Sequence, residues 1–208
     1  ALLGWAYDDA QQVFSRSELI EKFTIERVNR SPAVFDPEKL LWMNGHYIRT
    51  LPAEEIRRRV RAWLARRHDT ARFDPQWLDG IIGLETERTK TLEDFLDHLD
   101  YFLCDEPKFD DRSVQKHLKR PGAAEALRLL RQILAEAPDL RPDTLEPLMR
   151  RLTESRNVSF GRIAQPLRVA LTGRAASPPI FDVLFYLGRE RVLERIDYAL
   201  AHIVESNN

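Results

Sequence analysis

The residues of this chain best suited to chemistry are arginines that flank turns. From Ala164 to Leu200 the sequence reads AQPLRVALTGRAASPPIFDVLFYLGRERVLERIDYAL, and arginines stand at 162, 168, 174, 189, 191 and 195. Gly173 and Gly188 sit where helices should stop. Pro178 and Pro179 stiffen the turn between them. A guanidinium binds phosphate or a base edge through a planar fork, and it stacks on flat rings. Arginines held beside rigid turns therefore suit a phosphate-bearing, single-stranded partner. An ordinary helical bundle with a solvated basic face fits the same pattern, and the residues alone leave both readings open.

Nucleophilic and metal chemistry find little support. His46, His68, His98, His117 and His202 are scattered, with no HExxH spacing and no cysteine partner. His98 and Asp94 stand i,i+4 on one helical stretch and can pair at its surface. Gly80 and Gly83 fall inside a helical pattern rather than opening a helix after a strand, so no phosphate-cradling loop is expected. The single cysteine, Cys104, follows Tyr101-Phe102-Leu103 and reads as a small core hydrophobe. One cysteine excludes an internal disulfide and fits a reducing compartment. The residues point to binding, with no catalytic residue and no metal ligand expected in this chain.

The elements that must position the arginines are helices. Ser15 or Ser17 caps a helix through Phe23. Asp36 caps a second, with Pro37 at its first position. That helix carries Leu40, Leu41 and Met43 toward a core and runs to about Ile48. Ile56, Val60, Trp63 and Leu64 form one stripe between Ala53 and Arg67. Two more helices follow, Asp74 to about Thr86 and Thr91 to about Cys104, the latter opened by a Thr91–Asp94 capping pair. The acidic stretch from Asp105 to Asp111 contains Pro107 and reads as a linker. Beyond it, helices are predicted at about 111–118, 122–137, 142–155, 159–172, 180–187 and 189–204. Leu127, Leu130 and Leu134 form one apolar stripe, and Val192, Ile196, Leu200 and Ile203 another. Asn157-Val158-Ser159 matches a glycosylation sequon, but Ser159 serves better as an N-cap. Strand alternation is weak throughout, so the expected class is all-α.

A chain of 208 residues allows one or two domains. It has no apolar run of about 18 residues, so no membrane span is expected. The net charge of −1 hides an asymmetry. Residues 51–111 carry 10 basic and 15 acidic side chains, residues 112–208 carry 16 and 11, and the C-terminal half therefore favours a polyanion.

Three segments in order carry a resemblance: ALLGWAYDD at the start, SPAVFDPEKLLWMNGHYIR from Ser31 to Arg49, and the run from 161 to 200. Together they resemble the C-terminal part of bacterial-type glutamyl-tRNA synthetases, which are class I aminoacyl-tRNA synthetases. The likeness covers essentially the whole chain and is weakest between about 102 and 158. It implies the end of a tRNA stem-contact domain at 1–50, then two consecutive helical anticodon-binding bundles of the helix-cage type, at 51–111 and 112–208. The family's HIGH-type motif and its KMSKS-type lysine loop, which grip ATP, are absent from the sequence. The chain therefore reads as a fragment without a cofactor of its own, from a parent that uses ATP and Mg²⁺ to attach glutamate to tRNA-Glu. The alternatives are a stand-alone, non-catalytic tRNA-binding homologue and a helical protein-interaction module. The resemblance also implies a cytoplasmic monomer that binds tRNA-Glu, with no membrane and no DNA partner.

The family reads the anticodon at two places. An arginine at a helix end in the first helical domain falls on Arg88, aligned through Thr91-Leu92. The arginine of a PLR sequence falls on Arg168, beside a turn that supplies Ser177, Pro178, Ile180 and Phe181. The family usually has glycine at the position of Pro179. A proline there has no backbone N–H, which puts any main-chain contact from that position in doubt.

Overall fold

A computed structural model describes residues 4–8, 10–29, 32, 34–156 and 158–204. Parts of the first two resembling segments, and the sequon residue Asn157, lie outside the described residues. Eleven helices occur among those described: α1 Arg16–Lys22, α2 Pro37–Thr50, α3 Ala53–Leu64, α4 Pro75–Glu85, α5 Leu92–Leu103, α6 Asp111–Ser113, α7 Ala123–Glu136, α8 Pro142–Arg156, α9 Phe160–Thr172, α10 Ile180–Leu187 and α11 Arg189–Ala199. α6 runs on as a wider π turn, Val114–Leu118, and α11 as another, Leu200–Val204. An isolated antiparallel bridge joins Trp5 to Val28. Among the described residues the chain is otherwise helical, so the all-α class holds.

The helix starts are set by local chemistry. Orphan N–H groups of a first turn need acceptors. Ser15 and Glu18 close a capping box on α1, and Thr91 and Asp94 close one on α5. Asp36 accepts from the N–H groups of Glu38 and Lys39 at α2, and Asp74 from those of Gln76 and Trp77 at α4. Ser159 stands at the N-cap of α9, yet its hydroxyl makes no capping hydrogen bond. Gly173 ends α9 at φ +75°, a conformation that a side chain resists. A Cβ there would also lie 2.7 Å from the Lys108 carbonyl carbon.

The core runs without a break from Ile48 on α2 to Leu200 after α11. Ile56, Val60 and Leu64 of α3 meet Leu78, Ile81 and Ile82 of α4 and Phe95, Leu99 and Phe102 of α5. Leu127, Leu130 and Leu134 of α7 pack with α9 and with Val192 and Ile196 of α11. Several contacts tie the two halves. Trp77 Nε1 donates to the Tyr186 carbonyl at 2.8 Å, and the Asp110 N–H to the Gly173 carbonyl at 2.8 Å. Arg191 and Arg195 of α11 donate to carbonyls at the end of α5.

One packing expectation fails. Leu40 and Leu41 do not face a core: they are 52% and 43% exposed, and Trp42 beside them is 48% exposed. α2 meets the rest of the bundle near its C-terminal end, where Gly45 and Ile48 are buried and its neighbour is the turn Thr86–Arg88. The first turns of the helix project beyond that contact.

Candidate nucleic-acid interface

The corner between α4 and α5 is a tight turn. α4 ends at Glu85, a 3₁₀ turn covers Thr86–Arg88, and the buried Thr89 hydroxyl donates back to the Glu85 carbonyl at 2.5 Å. The Arg88 side chain emerges from this turn, 36% exposed, with Nη1 3.5 Å from Glu85 Oε2. Glu85 itself is only 1% exposed. His98 Nδ1 lies 3.3 Å from the same oxygen, and Tyr101 Oη lies 3.5 Å from Oε1. His98 thus faces Glu85, while the Asp94 carboxylate accepts from the N–H groups of Lys90 and Thr91. Asp94, which could pair with His98, still feels the charge of His98 while its Oδ2 serves the cap.

The second part of the site is the turn between α9 and α10. Arg168 is half-buried, and its Nη1 donates to the Ser177 hydroxyl, to the Ser177 carbonyl at 3.3 Å and to the Pro178 carbonyl at 2.7 Å. Burial pushes the Arg168 guanidinium down from its usual range, and the positive charge of nearby Arg88 pushes the same way. The two arginines that head the two turns therefore share one electrostatic neighbourhood. Arg174 completes it: its guanidinium lies 5.9 Å from the Tyr101 ring and donates to the Asp97 carbonyl at 2.9 Å. Burial, then the Glu85 charge, raise the Tyr101 phenol well above its ordinary value, so it stays neutral. Glu85 and Tyr101 thus link Arg88 to Arg174, and Arg168, which holds Ser177 and Pro178, feels the charge of Arg88.

The rest of the turn divides. Pro178 and Ile180 are buried, so the side chain of Ile180 belongs to the core. Phe181 is half-buried and stacks on Phe160, with centroids 5.5 Å apart and planes 27° from parallel. These two rings, with Glu146, Met149, Arg150 and Thr153, line a cleft of about 240 Å³.

A family model described as "Anticodon binding domain" matches residues 55–200. The chain belongs to the anticodon-binding domain family. Within this anticodon-binding domain the relatives agree on a context. Glutamate–tRNA ligase 1 of Coxiella burnetii (strain CbuK_Q154) is 37% identical over 201 residues, 97% of this chain and 42% of that protein. The glutamate–tRNA ligase of Moorella thermoacetica is 33% identical over 210 residues, 99% of this chain and 43% of that protein. The chain thus spans about two-fifths of the length of these relatives. A crystal structure of a glutamate tRNA ligase from Elizabethkingia meningosepticum, in complex with its amino acid, superposes with a TM-score of 0.85 at 25% identity. That match takes in 97% of this chain and 39% of that one.

Not all the turn-flanking arginines of the anticodon-binding domain face outward. Arg195 is 4% exposed and donates to the carbonyls of Leu171, Tyr101, Cys104 and Asp105. Burial lowers its guanidinium to about 10. Arg191 donates to the Phe102 carbonyl at 2.9 Å and the Cys104 carbonyl at 2.5 Å, and Arg189 to the carbonyls of Ala135 and Ala137. A helix C-terminus exposes carbonyls that a guanidinium fork satisfies. Three of the six arginines in the basic run therefore hold the fold together. Glu85 and Tyr101, which gather Arg88 and Arg174, carried no sequence signal of their own beyond an acid three residues before Arg88.

Proposed function

We propose that this chain reads the anticodon loop of tRNA-Glu as part of a glutamate–tRNA ligase, a cytoplasmic monomer. The observation that supports the reading best is the meeting of Arg88 and Arg174, 86 positions apart in sequence, at Glu85 and Tyr101, with Arg168 within reach of the Arg88 charge. An anticodon is a loop of splayed bases, which a protein reads by edge contacts and stacking. Arg88 and Arg168 supply forks for the edges, and Phe181 on Phe160 supplies a ring face.

Arg88 also accounts for selectivity. Glutamate and glutamine anticodons differ at the third base, C against G. Cytosine offers O2 and N3 acceptors on its pairing edge, which a guanidinium satisfies. Guanine offers N1–H and N2–H donors, which face the guanidinium donors unpaired. Attachment of glutamate, with ATP and Mg²⁺, falls to the part of the ligase beyond this chain. Among the described residues no group of three or more His, Cys, Asp or Glu could hold a metal ion. The 208-residue chain alone is then inactive in charging.

The test is a titration with tRNA-Glu and with an unrelated tRNA at several salt concentrations. Tighter binding of tRNA-Glu, weakening linearly in log–log against salt, is the expected result. Equal affinity for the two tRNAs would remove the anticodon reading.

A further inference from the structure

We propose that Glu85 is a positioning residue for selectivity: its buried carboxylate fixes the Arg88 guanidinium so that its outer edge meets the third anticodon base. The inference rests on the anticodon reading given above.

Glu85 breaks the pattern of its own helix. The buried residues of α4 are Leu78, Ile81, Ile82 and Glu85, an apolar i, i+3, i+4, i+7 stripe that ends in an acid. Among the described residues it is the one carboxylate in the buried set. An ionised carboxylate in an apolar setting is costly unless paired and hydrogen-bonded. Here the pairing is loose. Oε2 has one charge contact, with Arg88 at 3.5 Å, and lies 3.3 Å from His98 Nδ1, but it has no hydrogen bond of ordinary length. Tyr101 reaches Oε1 only at 3.5 Å. Packing does not account for an acid at this position, and local rules are broken where a site is functional or strained.

What Glu85 gains is control of Arg88. A lone arginine on a three-residue turn has many rotamers, and its charge can settle on any nearby phosphate. That gives affinity without selectivity. The Glu85 charge, 3.5 Å from Nη1, favours one placement of the guanidinium over those alternatives, and with no hydrogen bond formed there the donors stay open to the base. The Thr89 hydroxyl on the Glu85 carbonyl holds the turn from the backbone side.

The experiment uses two anticodon stem-loop RNAs that differ only in the third anticodon base, C or G. Affinities are measured by fluorescence anisotropy for the unmodified chain, Arg88→Ala, Glu85→Gln and the double variant. Arg88→Ala should lower the preference for C by about tenfold or more, the scale of one well-made base contact. Glu85→Gln should lower the same preference comparably while binding of the G loop holds or tightens, because a negative charge near the RNA is gone. The double variant should lose no more preference than Arg88→Ala alone.

A Glu85→Gln chain that keeps its preference where Arg88→Ala loses it would overturn the positioning role and leave the anticodon reading intact. Equal loss for both loops would make Glu85 merely structural and overturn it as well. An unchanged preference in Arg88→Ala would instead bring down the reading itself. Should Glu85→Gln not fold, Glu85→Asp withdraws the carboxylate by one methylene while keeping its charge. It too should reduce the preference, and an unaltered preference there refutes the role.

Discussion

Arg168 holds a turn through one nitrogen: its Nη1 is engaged by Ser177 and Pro178. On the proposed anticodon reading, the remaining donors of the guanidinium meet RNA. Arg168→Ala should therefore weaken binding of tRNA-Glu by about 1–3 kcal/mol, the range for a well-made readout contact. The fold should persist, as judged by far-UV circular dichroism. Arg168→Lys discriminates further: lysine keeps the charge but lacks the additional planar donors of the guanidinium, so Lys should restore little. Recovery of full affinity with Lys would assign the effect to charge alone. At this scale the sequence was readable only where the neighbours are local. Ser177 and Pro178, within ten positions of Arg168, do meet it, and Glu85 meets Arg88 three positions on, but the inward turn of Ile180 depends on how α10 packs, and the approach of His98 and Tyr101 to Glu85 on how α4 and α5 lie together.

The helices show the same division between local and distant causes. Asp36, Thr91 with Asp94, and Gly173 act within a few residues, and each sits where its spacing placed it. The start of α2 is exposed because Leu40 and Leu41 have the right spacing for burial but meet no helix among the described residues. Gly80 and Gly83 of α4 look alike in sequence and differ only in what lies opposite. A Cβ at Gly80 would fall 2.6 Å from Tyr186 Cζ on α10, whereas at Gly83 nothing lies within 4 Å. Tyr186 cannot simply move away, since its carbonyl is held by Trp77 and its ring stands edge-on to Phe102. Gly80→Ala should cost about 1–3 kcal/mol by overpacking, and Gly83→Ala should add up to about 1 kcal/mol through helix propensity. Urea midpoints of the two variants, measured side by side, check both signs. Equal effects would mean that the α4–α10 contact is looser than described.

Across the whole molecule, the core passes the linker at Asp105–Asp111 without interruption. Unfolding in urea should therefore be a single transition, with far-UV circular dichroism and tryptophan fluorescence coincident. Two separated transitions would show that the halves stand alone. Arg195→Ala should lower the midpoint sharply, by about 3 kcal/mol or more, because several buried carbonyls lose their donor together. That contact also has a direction in time. A ribosome delivers residues in order, and the Tyr101 carbonyl is made 94 residues before the guanidinium that satisfies it. The Phe102 carbonyl waits 89 residues for Arg191. Of the last carbonyls of α5, that of Leu103 already has its donor in Arg72, whereas those of Tyr101 and Phe102 leave the ribosome open to water and are satisfied only when α11 arrives. The N-terminal half cannot complete its fold as it is born. A nascent chain halted before Arg191 would be the more readily cleaved by proteases near Cys104.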